Sequence, residues 1–137
     1  MEKEFIPYEL AITLNEIGFD EPCFGYYLTN LLTNEVKLFI DDRKGFSLFK
    51  KTTPAPIFSQ VFRFFREEHK LSCSIELIDN SRHYYFDFTI YDSENRDYND
   101  EDCFDSCKRI YNDRKFGKYE EAELECLKKL IEIVKEK

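Results

Sequence analysis

The side chains of this chain that could do chemistry are two histidines, five cysteines and many carboxylates. Cys103 and Cys107 are the only close cysteine pair, whereas structural zinc needs four ligands that usually come in tight pairs such as C-x2-C. Neither His69 nor His83 lies in a motif that would activate a nucleophile, and G-x-S-x-G is absent. The sequence therefore predicts no metal site and no catalytic triad.

Carboxylates are concentrated between residues 92 and 105, where a calcium loop is the specific alternative to test. The spacing of Asp92, Glu94 and Arg96 breaks the alternating ligand pattern of such a loop, and the central glycine is missing. The phosphate-binding patterns G-x-x-x-x-G-K-[ST] and G-x-G-x-x-G are absent as well. We therefore expect a protein that is not an enzyme and needs no cofactor.

The acidic stretch with its interleaved tyrosines has two interpretations, which both stay open. It is either a solvated loop that aids solubility, or a row of charges with aromatic anchors that docks onto a Lys/Arg-lined, nucleic-acid-binding groove of a partner protein. The residues expected at that interface are Tyr91, Asp92, Glu94, Asp97, Tyr98, Asp100, Glu101 and Asp102.

A smaller basic set supports an alternative contact, with nucleic acid. Lys50 and Lys51 lie in a Thr/Pro-rich stretch predicted to be a loop, and Arg63 and Arg66 lie on the predicted helix that follows. Arginines beside Phe64 could stack on bases and contact phosphates. The formal net charge of −8 disfavours a broad footprint on DNA or RNA, so we expect direct nucleic-acid binding less than protein binding.

A C-terminal helix over residues 119–137 is the element expected to organise the fold. Its apolar residues gather on one broad side at helical spacing, which suits packing across a sheet. They are Tyr119, Ala122, Cys126, Leu127, Leu130, Ile131, Ile133 and Val134.

Two further helices and two hairpins are predicted upstream. A helix starts at Pro7 and stops at Gly18, and a second, rich in phenylalanine, runs from about 55 to 69. β-prone runs predict strands at 24–31, 36–40, 46–49, 72–79 and 82–92, the last with Tyr84, Phe86, Phe88 and Ile90 on its core face. We expect residues 103–114 to form a short helical turn or an edge strand.

The expected fold is therefore α+β, with one domain over 1–137. An antiparallel sheet of about four to five strands is packed by three helices, and an acidic insertion lies at about 92–116. A hydrophobic content of 42% suffices for one core, and no apolar run approaches the roughly 20 residues of a membrane span. The N-terminus lacks a secretory signal and the cysteines suit free thiols, so we expect a cytoplasmic protein with no membrane partner.

Three segments resemble small phage and prophage proteins of Bacteroidota. They are 4–11 with 17–27, 55–67 and 119–132, whereas 92–116 lies outside the resemblance. No catalytic residues come with it. The resemblance implies a phage-encoded inhibitor of host machinery, of the anti-CRISPR type, acting in the bacterial host's cytoplasm. The implied partner is a host protein with a basic nucleic-acid-binding groove, such as an RNA-guided effector nuclease.

Overall fold

A computed structural model describes residues 4–40, 50–80, 82–96 and 107–136. Within these residues the chain forms three helices and six strands, which confirms the α+β class. In chain order they are α1 (Tyr8–Glu16), β1 (Gly25–Asn30), β2 (Val36–Ile40), β3 (Lys50–Ala55), α2 (Phe58–Glu68), β4 (Leu71–Asp79), β5 (Tyr84–Arg96), β6 (Cys107–Phe116) and α3 (Tyr119–Lys135).

The contacts divide the chain into two compact units, Met1–Val61 and Phe62–Lys137. Each unit contains one three-stranded antiparallel sheet, with strand order β2-β1-β3 in the first and β4-β5-β6 in the second. The prediction of one sheet with four to five strands was therefore wrong. Strands β2 and β3 flank β1 in the first sheet, and the hairpin that follows α2 belongs to the second sheet. That the chain acts as one domain with an insertion at 92–116 stays a prediction.

Strand β3 occupies the stretch that was predicted to be a basic loop. Its Pro54 lies opposite Tyr26 of β1, and β3 is at the edge of the sheet. A proline is tolerated there because an edge strand can face its missing N–H away from the ladder. The β-branched Thr52 and Thr53 suit a strand, and Thr53 is buried. The strand predicted at 46–49 lies outside the described residues.

Helix α1 matches its prediction closely. It follows Pro7 directly, and the chain leaves it through Gly18, whose φ of 102° favours glycine. Ala11 and Leu14 form its buried side, and Phe19 returns to the core of the same unit.

The N-terminal segment is pinned to the first sheet at Gly25. A Cβ on this glycine would lie 2.8 Å from Cε1 of Phe5 and 3.0 Å from the carbonyl oxygen of Phe39. The hydroxyl of Tyr27 donates a hydrogen bond to the carbonyl oxygen of Ile6, which holds the segment in place. Position 25 therefore requires glycine, because a side chain there would clash with Phe5.

We expect Gly25→Ala to destabilise the chain by about 1–3 kcal/mol, the usual cost of forcing extra atoms into a packed site. Gly117→Ala is the matched control, because nothing lies within 4 Å of its would-be Cβ. Urea unfolding measures both. Equal unfolding midpoints for the two variants would contradict the close packing at Gly25.

In the second unit, α3 covers one face of the sheet. Phe88 and Ile90 at the centre of β5 are buried, as are Leu127 and Leu130 of the helix. Phe88 stacks on Tyr111 and Phe116, with ring centroids 5.8 and 5.7 Å apart. The same layer contains the other buried residues of α3, which are Ala122, Cys126 and Ile131.

Phe88→Ala should lower the free energy of unfolding by about 3–5 kcal/mol, because it empties the centre of this layer. Tyr84→Ala on the same strand is the control, since its side chain is 71% exposed. It should change stability by about 0.5 kcal/mol or less. Urea denaturation followed by circular dichroism distinguishes the two, and similar losses for both would contradict the assignment of the core.

In the part of the chain that the structure describes, no helix has both the length and the apolar character that crossing a membrane requires.

Candidate interaction surface

The predicted acidic interface is described only at its start. Tyr91, Asp92 and Glu94 lie on the second half of β5. Asp92 is held locally, since its Oδ1 accepts the backbone N–H of Glu94 at 2.9 Å. The remaining predicted residues, Asp97, Tyr98, Asp100, Glu101 and Asp102, lie outside the described residues.

In the β5–β6 register, Asp92 lies opposite Lys108, and Tyr91 lies opposite Arg109, which is exposed. That the acidic stretch docks onto a basic partner stays a prediction.

Strand β5 alternates as predicted, but the face away from α3 is also buried at its middle. Asp87 is only 9% exposed, and Thr89 is buried. Asn112 of β6 donates its Nδ2 hydrogens to Oγ1 of Thr89 at 2.8 Å and to the carbonyl oxygen of Phe88 at 3.1 Å. The hydroxyl of Ser74 is buried and has no hydrogen-bond partner within the described residues. This face is polar and closely packed, and it offers no exposed aromatic anchor at its centre.

Exposed apolar side chains instead gather where the β4–β5 hairpin extends past the start of α3. Leu77 is 57% exposed, Tyr84 71% and Tyr119 45%. Leu77 lies opposite Phe86, and Tyr84 is two residues before Phe86 on the same face of β5. The rings of Phe86 and Tyr119 pack edge to face with centroids 5.9 Å apart. We call Leu77, Tyr84, Phe86 and Tyr119 the hairpin patch.

The sequence predicted Tyr84 to be a core residue, and this was wrong. Its alternation with Phe86 and Phe88 gave the correct face of the strand. However, α3 begins only at Tyr119 and therefore leaves this end of the face uncovered. A useful sequence signal is the short distance of Tyr84 from the 79–83 turn, since residues beside a turn often extend past the covering helix.

Carboxylates border the hairpin patch, and within the described residues Glu120, Glu121 and Glu123 form no ion pair. Burial raises the pKa of Glu123, and the nearby Glu120 carboxylate raises it further. Burial also raises the pKa of Tyr119, and the charge of Glu123 adds to this shift. Glu120 and Glu121 lie in the first turn of α3, where the helix dipole favours negative charge. The patch thus combines apolar contact area with negative charge.

Glu123→Gln tests this electrostatic picture. A raised pKa means that the folded chain holds the proton more tightly than the unfolded chain, so stability falls as pH rises through the raised pKa. The variant should therefore melt at a higher temperature than the parent near neutral pH. This gain should vanish well below the ordinary glutamate pKa of about 4.3, where Glu123 is protonated in the folded and the unfolded chain alike.

Thermal melts between acidic and neutral pH measure the effect. Glu125→Gln is the control, because Glu125 pairs with Lys128 at 3.1 Å on the exposed side of α3. It should show no gain at neutral pH. A lower melting temperature for Glu123→Gln than for the parent at neutral pH would show that the charged carboxylate of Glu123 stabilises the folded chain. That result would contradict the raised pKa.

The basic residues of the alternative hypothesis fall in both units. Lys50 and Lys51 begin β3 in the first unit, whereas Arg63 and Arg66 are exposed on the part of α2 that belongs to the second unit. Three residues apart on a helix, the two arginines lie on neighbouring turns. The aromatic side of α2 is buried at Phe64 and Phe65, as predicted.

The cavity described in the first unit is small for a ligand site. A cavity of about 130 Å³ in the first unit is lined by Leu28, Asn30, Glu35, Lys37 and Phe39. Ligand pockets usually have volumes of roughly 300–1,000 Å³. Among the described residues, no three His, Cys, Asp or Glu side chains are grouped so that they could hold a metal ion.

Comparisons of the chain with protein-family models, with curated proteins and with solved structures found no match in any of the three.

Proposed function

We propose that the chain is an acidic, phage-encoded binding protein that inhibits a nucleic-acid-handling defence complex in the cytoplasm of the bacterial host. The expected target is the basic groove of an RNA-guided nuclease, as in anti-CRISPR proteins. The observation that carries the binding role is the hairpin patch, where Leu77, Tyr84 and Tyr119 are exposed beside Glu120 and Glu123.

The composition of the patch suits protein contact. Tyrosine is enriched among residues that dominate interface energies, and it offers a large contact area at low cost in conformational entropy. Tyr119 is already positioned by its edge-to-face contact with Phe86, so less order has to be created on binding. Arginine or lysine from a partner could also lie over the exposed tyrosine rings.

The charges next to the patch favour a basic partner. Burial is the main reason why the pKa of Glu123 is raised, and repulsion by Glu120 adds to it in the free chain. A cation placed between them would relieve that repulsion and gain a charge-assisted hydrogen bond. Complementary charge also speeds association and selects against acidic partners. A net charge of −8 has the same effect at longer range.

The test is a pull-down from host cells with the tagged chain, followed by comparison of variants for the captured partner. Tyr84→Ala combined with Tyr119→Ala should weaken binding at least about tenfold, the loss of a single modest hot spot. Replacing Asp100, Glu101 and Asp102 by lysine tests the predicted acidic interface. Ile110→Ala is the control, since Ile110 is exposed on β6 away from the patch.

Loss of binding with the tyrosine variant places the interface at the hairpin patch. Loss only with the lysine variant retains the inhibitor but moves its interface to the acidic stretch. Failure to capture any nucleic-acid-handling protein would contradict the proposed function. Circular dichroism of each variant separates loss of binding from loss of fold.

A second candidate is a phage accessory protein that binds nucleic acid, favoured by the joint exposure of Arg63 and Arg66 on α2. Anisotropy of a labelled single-stranded RNA should then show binding that weakens steeply with salt and is lost in Arg63→Ala with Arg66→Ala. No binding at low salt would exclude this candidate.

A further inference from the structure

Strand β4 is an edge strand whose backbone groups can be assigned to its two sides. Just beyond its ends, the N–H of Asn80 donates to the carbonyl oxygen of His83 at 3.1 Å, and the N–H of Ser93 donates to that of Lys70 at 2.9 Å. Bonded and non-bonded pairs alternate along an antiparallel ladder, so the even-numbered residues of β4 bond to β5. The odd-numbered residues between them point their N–H and C=O groups away from β5. Within the part of the chain that the structure describes, no strand pairs with that side.

The middle of this outer side is apolar. Its odd-numbered residues are Cys73, Ile75 and Leu77, which lie opposite Ile90, Phe88 and Phe86 on the α3-facing side of the sheet. We call Cys73, Ile75 and Leu77 the β4 edge. The side chain of Leu77 is 57% exposed, so the row ends in apolar surface that a neighbouring strand could cover.

The other described edge strands have features that discourage pairing. Strand β2 is short and carries Lys37, and β3 begins with two lysines and contains Pro54. Strand β6 carries four cations, and its register with β5 is irregular. Lysines, prolines and bulges of this kind prevent natural sheets from associating edge to edge. Strand β4 has nine residues in a regular register and contains no proline, lysine or arginine. Its edge is therefore open to pairing.

A second copy of β4 fits this edge in an antiparallel register centred on Ile75. New backbone hydrogen bonds can form only between odd-numbered residues, because the even-numbered ones are used by β5. A two-fold axis at Ile75 pairs Ile75 with Ile75 and Cys73 with Leu77 of the second copy. The apolar row then continues from one copy into the other, and each exposed Leu77 is covered.

The charges of β4 favour the same register. Lys70 comes directly before the strand and Asp79 ends it, so antiparallel pairing brings Lys70 of one copy beside Asp79 of the other. Glu76 lies opposite Ser74 of the second copy. A register centred on Glu76 would instead place two carboxylates opposite one another. Cross-strand neighbours of opposite charge stabilise a sheet, whereas like charges destabilise it.

Helix α3 leaves room for this pairing because it lies mainly over β5. Neighbouring strands are about 4.8 Å apart, so three strand spacings would separate the two β5 strands by about 14 Å. Packed helices need only about 8–10 Å between their axes. The two copies of α3 can therefore lie side by side on one face of a joined sheet.

We propose that two copies of the chain pair through the β4 edge and form a homodimer with one continuous six-stranded sheet, in the order β6-β5-β4-β4-β5-β6. The same surface serves both copies, as a two-fold interface requires. Pairing covers Leu77, whereas Tyr84 on β5 and Tyr119 on α3 take no part in it. The proposal does not depend on the inhibitor function, because the pairing uses β4 alone.

Light scattering of the full-length chain at rising concentration tests the dimer. A single strand pair buries less than a standard interface of about 1,600 Å², so we expect a dissociation constant on the order of micromolar. Leu77→Lys should weaken the dimer at least about tenfold, because it places a charge in the apolar row. Ile110→Lys is the matched control, since Ile110 is an exposed apolar residue on the opposite edge strand and should leave dimerisation unchanged.

Cross-linking tests the register. In a chain with Cys73→Ala, the variant Ile75→Cys places two thiols across the two-fold axis, where bonded pairs have Cα atoms about 5.5 Å apart. This separation suits a disulfide. Mild oxidation should give a dimer linked between the two positions 75, which mass spectrometry identifies, and Cys73→Ala alone should give no such product. Circular dichroism confirms that each variant is folded.

Three results would overturn the proposal. One is a chain that stays monomeric up to about 1 mM, including one whose β4 edge binds only a strand of another protein. The second is a dimer that Leu77→Lys leaves as tight as the parent. The third is a dimer in which Ile75→Cys forms no link between the two copies.

Discussion

The packing of α3 across the sheet of the second unit is the interaction on which the hairpin patch depends. The helix buries Cys126, Leu127 and Leu130 against a sheet whose central strand supplies Phe88 and Ile90. Removing such apolar area from water contributes about 25 cal/mol per Å², so a wide apolar side is strongly oriented towards the sheet. The helix covers the sheet only from Tyr119 onwards, and this start determines which part of the sheet stays exposed.

Hydrophobic periodicity was enough to predict the helices and strands that bury only one side. The apolar side of α3 located it from Tyr119 onwards, and β2 was predicted with its observed bounds. The pairing of strands was not accessible in this way. Pro54 indicated a loop because proline breaks central strands, yet an edge position in the sheet accommodates it. The division into two sheets depends on which strands pair with one another, and local sequence does not encode that choice.

The chemistry of the candidate site was partly predictable, but its location was not. Acidic and aromatic side chains in an acidic chain led to the prediction of contacts with a basic protein, and this stays a prediction. Alternation placed Tyr84 on the α3 side of β5, although only the position of the helix start shows that its ring is uncovered.

We propose that the chain contacts a basic protein through the hairpin patch. Hydrogen–deuterium exchange of the chain, measured alone and in complex with a partner captured from host cells, tests this proposal. We expect slower exchange on binding at residues 76–86 and 119–123. Slower exchange confined to β3 and α2, with the hairpin and the start of α3 unchanged, would contradict it.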